Sequence, residues 1–234
     1  MFEPVKAGLG RYLGRWFDSL VPTTPSMQRY RIRPLGQAIL WAPGRMVDAA
    51  TDMVASYQRN ATDGGDATRP YQMPVTLVAV AKDYEPARRG YTRQITDFTP
   101  IILDQDPLQR LFKVRTIAGE LRAQIVVAAH DEPTARSLAA QWGLWVDTHR
   151  RFSAAFPFAG FDHEYPVQIE TPETPASVVA SDVSNLTILA LDMTLLCTVP
   201  LFSSPLPGEP NDGRGSDDDP NNPHGFPNDV SITF

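Results

Sequence analysis

LFKVRTIAGELRAQIVVAAHDEPTARSLAAQWGLWVDTHRRF, residues 111–152, is the stretch whose reading decides the fold. Residues 111–117 alternate apolar and polar, as a half-buried strand does. Ala118-Gly119-Glu120 offers a tight turn with glycine at its centre. Leu121, Ala123, Ile125, Val127 and Ala129 then form one apolar face of a returning strand. Asp131 suits a helix N-cap, and Pro133 is tolerated in the first helical turn. Ala135, Leu138, Ala139, Trp142, Trp145 and Val146 follow at the spacing of an amphipathic helix. The expectation is a β-hairpin running into a helix. Two tryptophans on one stripe could stack a ligand, but at helical spacing core is the preferred reading.

Working outward toward the N-terminus, residues 74–81 (PVTLVAVA) form a near-continuous apolar strand, which implies burial on both faces. Before them, Met46, Val47, Ala50, Met53, Val54 and Tyr57 mark a helix ending near Asn60, followed by a loop over 60–70. Asn60-Ala61-Thr62 fits a glycosylation sequon and is read as accidental. Arg29, Arg31 and Arg33 alternate with Tyr30, Ile32 and Pro34, which suggests an extended basic edge. A solvated, charge-protected strand edge is preferred there over contact with phosphate or an acidic partner. Residues 4–20 place Val5, Leu9, Tyr12, Leu13, Trp16, Phe17 and Leu20 at helical spacing, with Lys6, Arg11 and Arg15 opposite. That stripe docks on the chain's own core or on a neighbouring subunit, in preference to a membrane surface, because Glu3 and Asp18 dilute the cationic face.

Toward the C-terminus and around the arm, 82–100 is polar, aromatic and proline-bounded, and loops of this length usually bind something. Tyr84, Arg88, Arg89, Tyr91 and Phe98 are its candidate partner-binding residues. Residues 100–103 (PIIL) read as a short strand, 154–165 as an aromatic connection, and 166–171 as a strand. Residues 185–202 form a long strand with Leu189, Leu191, Met193 and Leu195 on one side. At 18 residues it exceeds usual strand length, so a bulge breaks it or it projects beyond the domain. From Ser203 the composition turns acidic and proline-rich, the signature of a flexible tail. Its VSITF end, with Val230, Ile232 and Phe234 alternating, suits strand addition to a partner. The domain reading is a helical segment at 1–60, an α/β core at 61–202 and the tail at 203–234. The fold class is α+β: a small, mainly antiparallel mixed sheet flanked by helices, with extended arms.

The 22 prolines in 234 residues imply short elements joined by rigid turns. The net charge of −6 is mostly the tail's. Six acids after Leu201 stand against Arg214, leaving the body near −1, which argues against a nucleic-acid binder. The single Cys197 excludes an intrachain disulfide and reads as a buried thiol. No apolar run reaches membrane-spanning length, and the N-terminus lacks a secretory h-region. The four histidines lack zinc spacing, and no P-loop, dinucleotide or nucleophile-elbow pattern occurs. Asp162-His163-Glu164 is a compact polar cluster in a loop without a nucleophile beside it, and the aspartates at 217–219 lack calcium-loop spacing. No catalytic, cofactor or metal residues are assigned.

The order of elements resembles the small α/β fold of tail-terminator and tail-completion proteins in long-tailed bacteriophages. The segments MPVTLVAVAKDYEP, TRQITDFTPIILD and AQIVVAAHDEPTARSLAAQW are also similar to structural proteins encoded in contractile-tail phage gene clusters, and the likeness spans about residues 74–202. It implies a virion structural protein, assembled in the host bacterial cytoplasm, in the neck or in the baseplate around tube and sheath. Its partners would be itself, as a trimeric or hexameric ring, and tube, sheath or baseplate subunits, with no membrane and no nucleic-acid specificity. The 1–60 segment and the acidic tail depart from the minimal terminator pattern, so neck and baseplate both stay open. The alternative is a soluble ligand-binding domain or enzyme using the Trp142/Trp145 or 162–164 region.

Overall fold

The apolar stripe at the N-terminus forms α1 (Glu3–Ser19), which buries Val5, Leu9, Tyr12, Leu13, Trp16 and Phe17 within the chain itself. The computed structural model describes residues 2–63, 72–83, 85–86, 96–104, 106–108, 110–170, 176–180, 185–206, 209 and 212–213. About half of the expected arm at 82–100 and most of the tail lie outside these residues. The described chain is mixed helix and strand, and its sheet is mainly antiparallel.

Thr24 sets the next helix. Its hydroxyl accepts from the Met27 N–H, and Pro25 pre-sets the first turn of α2 (Pro25–Arg31). The expected extended basic edge at Arg29–Arg31–Arg33 is therefore corrected to a helix and its exit. Arg33 donates to the carbonyls of Gln72, Met73 and Pro74, and Arg31 donates to the Asp18 carbonyl. These arginines tie segments of the chain together. A short helix α3 (Leu35–Ala38) and strand β1 (Ile39–Trp41), which sequence periodicity missed, lead through a 3-10 turn to α4 (Ala50–Asp63). That helix starts later than expected, because Asp48 takes a left-handed φ of 70°. The Arg122 guanidinium pairs with its carboxylate.

Strands β2 (Val75–Val80), β3 (Glu85–Pro86), β4 (Thr99–Ile102) and β5 (Leu111–Ala129) come next, followed by helix α5 (Glu132–Thr148) with Asp131 as its N-cap. The expected hairpin within 111–129 does not exist. β5 is one continuous strand of 19 residues. A two-residue hairpin needs positive φ at its central residues. None of Ala118, Gly119 and Glu120 has it; Gly119 instead pairs with Pro86. The partners of β5 come from elsewhere: β2 pairs along Ala123–Ala128 and β4 along Leu111–Val114. The chain's tight hairpin lies in the stretch expected to be an aromatic connection. There β6 (Arg151–Phe158) and β7 (Phe161–Ile169) are joined by Ala159 and Gly160, at φ 52° and 84°. β8 (Ser177–Val179) and β9 (Thr187–Ser203) complete the described strands. β9 is one strand of 17 residues whose burial alternates from Leu191 to Val199, and Cys197 is buried in it. Burial pushes that thiol's pKa up to about 12, which leaves it inert.

The chain packs as two units, each discontinuous in sequence. The first comprises residues 1–87, 119–154 and 166–197. Here α4 lays Ala50, Met53 and Val54 on a sheet face made by Val75, Leu77, Ala79, Val126, Ala128, Ile188 and Ala190. Thr76 points to the opposite face, where its hydroxyl meets the Tyr30 phenol at 2.8 Å. On that side Phe17 packs edge-on to Tyr30 at 5.3 Å, and Trp16 edge-on to Trp142 at 5.3 Å, so α1, α2 and α5 stack there. The second unit comprises residues 88–118, 155–165 and 198–234. Its described core is aromatic: Phe112 meets Phe158 edge-on at 5.1 Å, and Phe158 stacks on Phe202 at 4.4 Å.

At Gly8, α1 comes close to the sheet. A Cβ there would stand 2.6 Å from the Ser153 carbonyl oxygen and 3.2 Å from the Phe152 ring. Gly143 in α5 faces open space. Gly8→Ala should therefore lose about 1–2 kcal/mol, overpacking outweighing roughly 1 kcal/mol of gained helix propensity. Gly143→Ala should gain up to about 1 kcal/mol. Urea unfolding of both variants checks this, and equal stability of the two would contradict the close approach.

Candidate partner-binding face

Of the residues expected to bind a partner, the structure describes Phe98 alone. Tyr84, Arg88, Arg89, Tyr91, Val230, Ile232 and Phe234 lie outside the described residues. Phe98 precedes β4 in the second unit and is 50% exposed. The register of β4 on β5 pairs Thr99 with Val114 and Pro100 with Lys113, which carries Phe98 opposite Arg115. Residues directly opposite in an antiparallel pair project from the same face. One face thus carries Phe112 inward to the aromatic core, and the other carries Phe98, Arg115 and Lys113 outward. The Arg115 guanidinium lies 4.5 Å from the centre of the Phe98 ring. Its Nε is closed off from solvent and has no hydrogen-bond partner among the described residues.

Lys113 is engaged. Its ammonium donates to Glu209 at 2.7 Å, and the other Glu209 oxygen accepts from the Leu206 N–H at 3.0 Å. The lysine hydrogen bond, then that backbone bond, lower the Glu209 pKa. Leu206 beside it is 66% exposed. At the near end of β5, the buried Asp106 accepts from the backbone N–H and side chain of Arg110 and from the Leu108 N–H. The Arg110 side chain is the largest cause holding the Asp106 carboxyl below its ordinary range, with the backbone bonds adding to it. Arg115 was overlooked in the sequence because it reads as one more polar position of an alternating strand. The signal that would have found it is its register opposite Phe98, which a sequence does not display.

The alternative sites do not assemble. Trp142 is fully buried, edge-on to Tyr12 and Trp16, as the core reading expected. Trp145 is half-buried and stacks on His149 at 3.8 Å, beside a groove of about 360 Å³ lined by Val21, Gln141 and Leu144. Gln141 spans that groove's rim with bonds to the Val21 N–H and carbonyl. Asp162, His163 and Glu164 lie on β7, a correction to the expected loop. Strand alternation sends the two exposed carboxylates away from His163, which packs against Phe202 at 4.9 Å. In the first unit, Gln124 is buried in a small polar cleft and used at both ends of its amide, accepting from the Asp48 N–H and donating to Asp192. No metal-holding group of acids, histidines and cysteine occurs among the described residues. No described helix is long and apolar enough to cross a membrane. No protein-family model matches the chain, and no curated protein matches it.

Asp106 makes a pH prediction. Because its folded pKa is lowered, its contribution to stability is present above the ordinary aspartate value of 3.8 and is lost as pH falls through the lowered value. Asp106→Asn should cost about 1–3 kcal/mol near neutrality, since it leaves buried donors poorly matched. The gap from the parent should shrink below pH 3.8. Urea midpoints across pH 2–7 test this, and a gap that stays constant would assign the loss to packing instead.

Proposed function

We propose that this chain is a structural subunit of a long-tailed bacteriophage tail, in the neck or in the baseplate around tube and sheath, acting by protein–protein contacts. The proposal rests on the resemblance carried by residues 74–202. The observation that supports it is the Phe98–Arg115 pair on the outer face of the second unit. Arginine and aromatic residues are the types that dominate binding energy at protein interfaces. Here a half-exposed ring carries a guanidinium. The helix-flanked sheet of the first unit fits the fold that the resemblance implies. A ring subunit presents two different surfaces to its neighbours, so its contacts are heterologous and closed.

Native mass spectrometry of the full chain, alone and co-expressed with tube and sheath subunits, should show three- or six-fold species. Phe98→Ala should weaken that association about tenfold or more, about 1.4 kcal/mol, with thermal stability unchanged. A monomer or dimer in every mixture overturns the proposal.

A further inference from the structure

The outer face of α5 is left uncovered by the described chain. Glu132, Arg136, Ala140, Gly143 and Asp147 form one seam along it, on the side away from the core stripe of Leu138, Trp142 and Val146. The seam is open: side-chain exposure is 71% at Arg136 and 64% at Asp147, and Leu144 beside it is 71% exposed. Its charges come as two ion pairs, Glu132–Arg136 at the start of the helix and Asp147–Arg150 at its end. Ala140 and Gly143, both small, stand between them on the seam. Glycine in a helix interior costs about 1 kcal/mol against alanine. The described chain gives no packing reason for it, since a Cβ at Gly143 meets nothing within 4 Å.

From Glu132 to Arg150 the charges of the seam run minus, plus, minus, plus. Against its own reverse, this order sets every charge opposite its complement. With a two-fold axis at the level of Gln141 and Trp142, Arg136 faces Asp147 of the partner subunit and Ala140 faces the partner's Gly143. Glu132 then falls within one residue of the partner's Arg150. A parallel pair in register would set like charge on like. We infer that this face of α5 docks on the same face of a second copy of the chain, as a two-fold antiparallel helix pair. The contact is isologous, the same patch on both copies, and so is separate from the heterologous contacts of a ring. The eleven residues from Arg136 to Asp147 span about 16 Å of helix. Over that length Ala140 and Gly143 let the two backbones approach, and Leu144 packs beside the partner's Ala140. Exposed ion pairs contribute little to a fold, but complementary charges across an interface fix its orientation. One helix pair is a small interface, so the association is weak and salt-sensitive.

The test is sedimentation of the full chain over a concentration series, with near-UV circular dichroism confirming the fold of each variant. The parent should form dimers. Arg136→Glu and Asp147→Arg should each weaken dimerisation about fivefold or more, because each sets like charges against each other twice per pair. An equimolar mixture of the two single variants should recover it as a heterodimer, and so should the chain carrying both substitutions. Recovery on mixing is an effect that a change within one chain cannot produce. Gly143→Gln should abolish pairing while leaving the urea midpoint of the dilute chain unchanged or raised. A parent that stays monomeric throughout the series overturns the inference, as does dimerisation that is equal in all variants or is not recovered on mixing. Rings that form with tube and sheath subunits but are indifferent to these variants leave the assembly reading standing without this contact. Dimers that follow the charge pattern while no ring forms in any mixture leave this contact standing without the assembly reading.

Discussion

The constraint on which the first unit depends is that β2 and the Gln124–Ala129 end of β5 are buried on both faces. A strand so placed leaves no side exposed to water, so the chain must supply helices above and below it. It does so unequally. On one face α4 contributes small and medium side chains, Ala50, Met53 and Val54. On the other, α1, α2 and α5 bring Tyr12, Trp16, Tyr30 and Trp142, all fully buried. Every polar group caught between these layers then needs a partner, and unmet ones cost about 1–3 kcal/mol each. Thr76 finds Tyr30, and Gln124 finds both the Asp48 N–H and Asp192. Burial pushes the Tyr30 phenol pKa well above its ordinary value, so it stays a neutral hydrogen-bonding group. The Gln124 bond also helps explain why Asp48 tolerates its left-handed conformation, since its N–H is committed to the sheet and its carboxylate to Arg122.

What could be read from the sequence divides along physical lines. Periodic burial was legible: the stripes of α1 and α5, the apolar β2, the alternation of β9 and the buried Cys197 were all anticipated. Local caps were legible where one residue decides, as at Asp131. The misreadings arose where a local signal competes with partners distant in sequence. Gly119 looked like a turn, but β2, β3 and β4 all pair along β5 and keep it one strand. Ala159-Gly160 was a turn, but alanine does not announce positive φ. Arg29, Arg31 and Arg33 alternated like a strand, and the Thr24-Pro25 helix start overrode them. The candidate face divides the same way. Phe98 was marked by its place in a polar, aromatic segment, whereas Arg115 matters only through cross-strand register.

Two of the sheet's edge strands are poor templates for strand addition, which favours a face over these edges for the proposed contact. A sheet edge recruits another strand by offering a row of free N–H and C=O groups. In the first unit, β6 is covered by α1: Arg11 donates to the Ser153 carbonyl, and Gly8 lets the helix approach that oxygen directly. In the second, β4 is only four residues long and contains Pro100, which has no N–H; proline in an edge strand removes a donor from its open side. Backbone pairing at these two edges is thus weakened by the sequence itself. Side chains projecting from the sheet do not suffer that loss. The outward face of β4 and β5 gathers a half-exposed ring, a guanidinium lying on it, and a lysine already holding an acidic residue of the tail. An assembly built through such a face takes its specificity from the spacing of charges along one strand. Lys113 and Arg115, two residues apart and on the same side, set that spacing at about 7 Å.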